Sequence, residues 1–243
     1  MLNSKKEMSA YDVRPVWMTG VFALALMAGT AFASQSLVQD RRLSMSAAQE
    51  MAARVKSESG FPIVVNDLVL KELNRYVGTP DGREYMRKAL QRMENYRTLV
   101  DSKIRQYQVP SELAAIPIVE SGYQNLEPQH NPVRAAGVWQ FIASTARNFG
   151  LRVDSEVDER MNPELETDAG MRYLKGNHLV FNDWLLSVLA YNLGENQVQK
   201  AIRATGSRDA WAIVRAGYEN DKSYLPRVMA AVLILKNPES VAQ

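Results

Sequence analysis

Apolar residues in this chain recur at the spacing of a helix and nowhere at the spacing of a strand. Leu68, Leu70, Leu73 and Val77 mark one side of a segment that starts near Asn66. Tyr85, Leu90, Met93, Tyr96, Leu99, Val100 and Ile104 then recur about one turn apart. A stripe of that period folds as an amphipathic helix and must be buried against other helices. With no alternating run of useful length and no internal repeat, the expected fold class is all-α.

Helix punctuation supports this. Gly78-Thr79-Pro80 stops the first helix, and Asp81-Gly82-Arg83 opens a long one that ends before Val109-Pro110. Ser111 is an expected N-cap, Pro117 bends or shortens the helix behind it, and Gly122 ends it. Residues 124–136, with Pro128 and Pro132, read as loop, and residues 144–149 before Gly150 as a short capped helix. Asn162-Pro163 is a cap followed by proline at the first helical position, starting a helix through Lys175. Further helices are expected over 183–191, from Gly194-Glu195 to about Thr205, and over 223–235. Residues 34–64 are polar and rich in small side chains, a linker with one short helix.

The length of 243 residues suits one substantial domain, alone or with a smaller appendage, and 46% hydrophobic content is enough to fill its core. With 29 basic against 27 acidic residues and no basic stripe, nucleic acid is not an expected partner. Residues 1–33 look like an export signal: Lys5, Lys6 and Arg14, then an apolar stretch over 16–27, then Ala31-Phe32-Ala33 as a small-x-small site before Ser34. The alternative is an uncleaved membrane anchor, since the apolar run approaches spanning length. The chain has no Cys, so it has neither disulfides nor a lipidated N-terminal cysteine. A protein exported to the periplasm or cell envelope, held together by its core alone, fits these features.

One ionisable group stands at the end of an apolar run: Glu120, after Leu113-Ala114-Ala115-Ile116-Pro117-Ile118-Val119. A carboxyl desolvated there has its pKa raised and can stay protonated near neutral pH, as a general acid must to protonate a glycosidic oxygen. A glutamate near a helix end is equally read as a solvated side chain, so Glu120 alone decides little. Three motifs follow it and Ser121: Gly137-Val138-Trp139-Gln140-Phe141-Ile142 with Thr145, then Ala190-Tyr191-Asn192-Leu193-Gly194-Glu195, then Tyr224-Leu225-Pro226. Gly137 permits close backbone approach and Trp139 offers a flat apolar surface. Gln140 supplies both donor and acceptor for sugar hydroxyls or an acetamido group. Tyr191 and Asn192 stand at a helix end where a cleft can form, and Tyr224 puts a hydroxyl on an apolar helix. Each has an ordinary structural reading as well: Trp139 as core, Gln140 as a satisfied buried amide, and Asn192-Leu193-Gly194 as a turn.

Other groups offer less. Glu127 sits in the loop, Asp154, Glu156 and Asp158 form a solvated acidic run, and Glu195 caps a helix or faces a groove. His130 and His178 lie on different segments without zinc-site spacing, His178 on a helix surface, so no metal or cofactor is expected. No Gly-x-Ser-x-Gly turn is present.

Taken in order, the motifs resemble those of the lytic murein transglycosylases of the soluble-lytic-transglycosylase type, over about residues 65–237. The stretch from Gly82-Arg83-Glu84-Tyr85-Met86 to Gln108-Val109-Pro110-Ser111-Glu112-Leu113 looks like the helical lead-in of one subgroup. The resemblance implies a goose-lysozyme-like helical catalytic domain at 109–238 behind a lead-in at 65–108. It implies Glu120 as the single catalytic acid/base, acting on peptidoglycan glycan strands. The bond cleaved would be the β-1,4 link from N-acetylmuramic acid to N-acetylglucosamine, without water, leaving a 1,6-anhydro end. Ser121, Asn131, Gly137, Val138, Trp139, Gln140, Phe141, Tyr191, Asn192 and Tyr224 are the implied substrate-binding set. Within it, Tyr191 orients Glu120 or the sugar, while Asn192 and Tyr224 contact substrate. Other envelope proteins are candidate partners, and the membrane enters only through the N-terminal segment. Alternatives are a hydrolytic muramidase and a non-catalytic peptidoglycan-binding scaffold on the same fold. Two positions depart from the family pattern: Asn131 stands where serine is usual, and Asn220, between Glu219 and Asp221, where glutamate is frequent. The subgroup's C-terminal peptidoglycan-binding repeats have no counterpart here, so wall attachment is expected from the groove, the N-terminal segment or a partner.

Overall fold

The computed structural model describes residues 41–55, 60–128, 133–219 and 223–242. The expected export signal, His130, Asn131 and Asn220 lie outside the described residues. Among those residues the structure is helical, with three isolated antiparallel bridges and no strand.

α1 (Met45–Ala53) starts at Ser44, whose hydroxyl accepts from the Ala47 N–H. It buries Ala48 and Met51, so part of the segment read as linker packs into the core. α2 (Asp67–Val77) is capped by Asn66, and α3 (Pro80–Glu94) by Thr79 with Pro80 at its first turn. Gly78-Thr79-Pro80 thus ends one helix and starts the next. The long helix expected beyond Asp81 is two helices, because the chain breaks before α4 (Arg97–Tyr107). At the break the Tyr96 N–H bonds to the Met93 carbonyl in a tightened turn, and the Tyr96 ring stacks on Tyr123 at 5.8 Å.

The apolar run before Glu120 forms a 3₁₀ turn (Ser111–Ala115) followed by the short α5 (Ile116–Glu120). Ser111 is not the cap expected of it. Pro110 holds the cap position, and the Ser111 hydroxyl accepts from Lys236 instead. Pro117 has no N–H to donate back along the run, which accounts for the irregular start. Gly122, at φ 61, turns the chain out of α5.

α6 (Ala143–Asn148) and α7 (Pro163–Phe181) follow, the latter running past Lys175, where its end was expected. α8 (Trp184–Leu193) is capped by Asp183, and α9 (Glu195–Thr205) ends at Gly206. α10 (Ala210–Arg215) is a short helix with no apolar period long enough to announce it. α11 (Tyr224–Lys236) is buried along nearly its whole length and packs against α2, α5 and α8. Burial of Val228, Leu233 and Ile234 contributes about 1.5–3 kcal/mol each. α2 therefore shares one core with the helices that carry Glu120 and Tyr224. α4 is tied to α7 at Asp168, which accepts from Lys103, Tyr107 and Arg172 at 2.7, 2.8 and 2.9 Å. No helix of the described residues is long and apolar enough to cross a membrane.

Candidate active site

α5 ends at Glu120 and α11 begins at Tyr224, and their packing brings the two side chains together. The Tyr224 hydroxyl donates to Glu120 Oε1 at 2.7 Å. Burial pushes the Glu120 carboxyl up to about 7, against the opposing pull of the Tyr224 hydrogen bond and the Arg227 charge.

Glu120 opens onto a cavity of about 430 Å³ whose walls include Gln140, Phe141, Tyr173, Tyr191 and Asn192. Thr145 and Gly194 extend the lining. Among the described residues Glu120 is the only lining residue that carries a charged side chain. The rest is aromatic and aliphatic surface with a few neutral hydrogen-bonding groups. Tyr173 and Tyr191 pack at 5.2 Å and Phe141 against Tyr191 at 5.9 Å, a rigid aromatic wall.

The loop carrying Gln140 is held from below by a residue with no local sequence signal. Glu166, on α7, is fully buried and accepts from the Val138 and Trp139 N–H groups at 2.7 and 2.9 Å. Burial raises its pKa well above the ordinary carboxyl range. Gly137 lies against it: a Cβ there, at φ 81, would sit 2.3 Å from Glu166 Oε1 and 2.2 Å from the Arg160 carbonyl. The buried Arg160 guanidinium donates to the carbonyls of Arg134 and Phe141, at 2.7 and 2.9 Å, and pairs with Asp158. Asp158 therefore anchors this arginine, while Asp154 and Glu156 remain in the exposed loop expected, paired with Arg152. So supported, Gln140 takes a left-handed backbone at φ 55 and donates its amide to the Gly137 carbonyl at 2.7 Å.

Of the residues singled out from sequence, Gln140, Phe141, Tyr191 and Asn192 join Glu120 on the cavity. Ser121, Gly137, Val138 and Trp139 lie beneath its wall. Trp139, which the sequence left open as a flat surface or as core, is fully buried; its indole N–H donates to Thr167, and its ring fills the space over Gly170. Ser121 is also buried and donates to the Val138 carbonyl at 2.7 Å, fastening the end of α5 to the loop. Tyr224 is buried and its hydroxyl bonds Glu120, whereas Tyr191, on the cavity wall, donates its hydroxyl to the Trp139 carbonyl at 2.7 Å.

Glu219 was also missed as an individual. Both its oxygens accept from the start of α11, from the N–H groups of Tyr224 and Leu225 at 3.0 Å each. A carboxylate at a helix N-terminus is favoured by the dipole, and this one sets the position of Tyr224. The acidic position flanking the Tyr-x-Pro motif thus lies one residue before Asn220. Glu195 accepts from Gln199 within α9. His178 is half-buried rather than on the surface, its ring stacked 3.7 Å from Trp184. Among the described residues no group of three or more His, Cys, Asp or Glu is placed to hold a metal ion.

Residues 98–214 match the family described as the transglycosylase SLT domain. The chain is 31% identical over 212 residues to membrane-bound lytic murein transglycosylase D of Escherichia coli K12, covering 85% of this chain and 45% of that protein. It is 44% identical over 64 residues to peptidoglycan transglycosylase gp16 of phage T7, covering 26% of this chain and 5% of that protein. The chain thus spans less than half the length of these curated relatives. Its fold is similar to that of an inactive mutant of the lytic transglycosylase Slt from Pseudomonas aeruginosa. That match has a TM-score of 0.50 at 15% identity and covers 82% of this chain and 44% of the other.

Proposed function

We propose that this chain, whose residues 98–214 match the transglycosylase SLT domain family, is a lytic murein transglycosylase with Glu120 as its single acid/base. The observation that carries the reading is the environment of Glu120: the only charged side chain on the cavity among the described residues, its carboxyl held at about 7 by burial. A group with its pKa near the working pH serves both as proton donor and as proton acceptor.

The reaction proceeds on that one carboxyl. Protonated Glu120 gives its proton to the oxygen bridging N-acetylmuramic acid and N-acetylglucosamine, and the bond from C1 to that oxygen breaks. The muramoyl C6 hydroxyl then attacks C1 and closes a 1,6-anhydro ring. Its proton passes to the Glu120 carboxylate, which restores the acid. Glycosidases that add water use two carboxyl groups flanking the bond, about 5–9.5 Å apart. Among the described residues no second carboxylate lines the cavity, which favours attack by the substrate's own hydroxyl. Gln140 and Asn192 supply neutral hydrogen bonds to the sugars, and Tyr224 fixes the carboxyl's orientation. In this proposal residues 109–238 form the catalytic domain and 65–108 its lead-in, and residues 1–33 direct export to the cell envelope.

The test is mass spectrometry of muropeptides released from purified sacculi by residues 34–243, beside Glu120→Gln. Anhydro-muropeptides from the wild type are expected, with turnover in the variant down by about 10²–10⁴-fold. Reducing-end products would make the protein a hydrolase instead. An equally active variant would remove Glu120 from the mechanism.

A further inference from the structure

α5 is only 5 residues long and carries Glu120 at its last position. A helix this short depends on its neighbours for shape, so what holds its end holds the carboxyl. Two donors from α3 grip that end on either side of Glu120. The Tyr85 hydroxyl donates to the carbonyl of Ile118, just before Glu120, and the Arg92 guanidinium donates to the carbonyl of Gly122, just after it, at 3.1 Å. The Ile118 carbonyl already accepts the Gly122 N–H at 3.1 Å, so Tyr85 fills its second lone pair. A Cβ on Gly122 would lie 3.4 Å from the Tyr85 ring and 3.5 Å from the Arg92 guanidinium, so both side chains close over the turn.

The grip has a rigid base. Tyr85 and Arg92 stand two turns apart on α3, which Met86, Ala89 and Met93 bury in the core. The Tyr85 ring stacks on Tyr76 of α2, with centroids 6.1 Å apart and planes 12° from parallel, and α2 packs against α11. Burial raises the Tyr85 pKa against the pull of Arg227 and Arg92, so the hydroxyl keeps the proton it donates. Both residues lie upstream of 98–214, the span that matches the SLT domain family. We infer that Tyr85 and Arg92 are positioning residues for Glu120, so that α3, outside the matched span, is a working part of the catalytic unit. This rests on the transglycosylase reading above. α11 orients the carboxyl itself through Tyr224, whereas α3 orients the backbone that carries it.

The experiment compares the full chain with Tyr85→Phe, Arg92→Gln and the double variant, by kcat and KM on soluble peptidoglycan strands. Tyr85→Phe keeps the ring and loses only the donor. The double variant is expected to lose on the order of 10–100-fold in kcat with KM changed less than about twofold, and each single variant less. Arg92→Lys, which keeps a donor, should recover part of the loss, and Arg87→Gln, at an exposed position on the same helix, should match wild type. Thermal unfolding gives the folded fraction of each variant at the assay temperature, and the single variants decide if the double variant unfolds. The second readout is the Glu120 carboxyl, followed by NMR as the titrating signal missing from Glu120→Gln. Tyr224 and Arg227 of α11, Tyr85 of α3 and Tyr191 of α8 act on it. Tyr85→Phe changes no charge, so a loosened α5 should bring the midpoint down from about 7 toward the ordinary 4.5. A wild-type kcat, a loss confined to KM or one that only tracks the unfolded fraction, or an unmoved midpoint overturns the inference. A Glu120→Gln variant as active as wild type would sink the reading of Glu120 while leaving a lowered midpoint in Tyr85→Phe intact, so the two failures are distinguishable.

Discussion

Glu120 and Glu166 are the same residue type, and burial raises the pKa of both, yet their surroundings give them opposite work. Glu166 is sealed, and both its oxygens are occupied by backbone N–H groups 2.7 and 2.9 Å away. Glu120 has one hydrogen bond among the described residues, from Tyr224, and otherwise faces the cavity. The shift alone does not separate a reacting group from a structural one; a lone pair that substrate can reach does. Glu219, with two backbone donors of its own, belongs with Glu166.

The sharpest way to break this contrast is to delete the structural member. Glu166→Ala strands two buried N–H groups and empties the space beneath the Gln140 loop. The expected cost is about 3–5 kcal/mol, a fall in melting temperature of about 6–20 °C. Thermal unfolding measures it. A loss below about 1 kcal/mol would mean that Arg160 and Ser121 hold the loop without Glu166.

The cavity-facing member, Glu120, should respond in the opposite direction. Its carboxyl has an ordinary value of 4.5 and a folded value of about 7. Between those limits the native state keeps a proton that the unfolded chain releases, so stability falls as pH rises through that window and the full penalty is present above it. Glutamine carries no charge and pays no such penalty. Glu120→Gln should therefore be more stable than wild type at pH 8, on the order of 1–3 kcal/mol, with the gap closing by pH 4. Denaturant unfolding at the two pH values reads this directly. Equal stability at pH 8 would place the Glu120 carboxylate in a solvated setting.

The helices were legible in sequence because their signals are local. Asn66, Asn162 and Asp183 each cap the helix that follows, and of the apolar stripe read on α2 Leu73 and Val77 are buried in the core while Leu68 and Leu70 flank it. Glu120 was legible for the same reason, its desolvation being written in the apolar residues just before it. What escaped depends on partners far along the chain. Glu166 meets Trp139 across 27 residues, and Trp139 carries both core and groove readings until Thr167 and Gly170 are seen to enclose it. The break at Tyr96 depends likewise on Tyr123, which no helical period can register. Tyr191 and Tyr224 were both visible, but which one bonds Glu120 is fixed by how α8 and α11 pack.

That assignment yields the smallest effect and the finest distinction. The Tyr224 hydroxyl donates to the Glu120 carboxylate and so favours the charged form. Tyr224→Phe keeps the ring beside Arg227 and removes only the donor, so the Glu120 pKa should rise further. The alkaline limb of the rate profile should move up by on the order of one pH unit, with a several-fold loss at the optimum from a less well-fixed carboxyl. Tyr191→Phe removes a donor to the Trp139 carbonyl instead and should lower the rate without moving that limb. If the limb moved for Tyr191→Phe and stayed for Tyr224→Phe, the hydroxyl that tunes Glu120 would be the one across the cavity. The contrast between a carboxyl held by backbone and one tuned by a side chain would then need a different tyrosine at its centre.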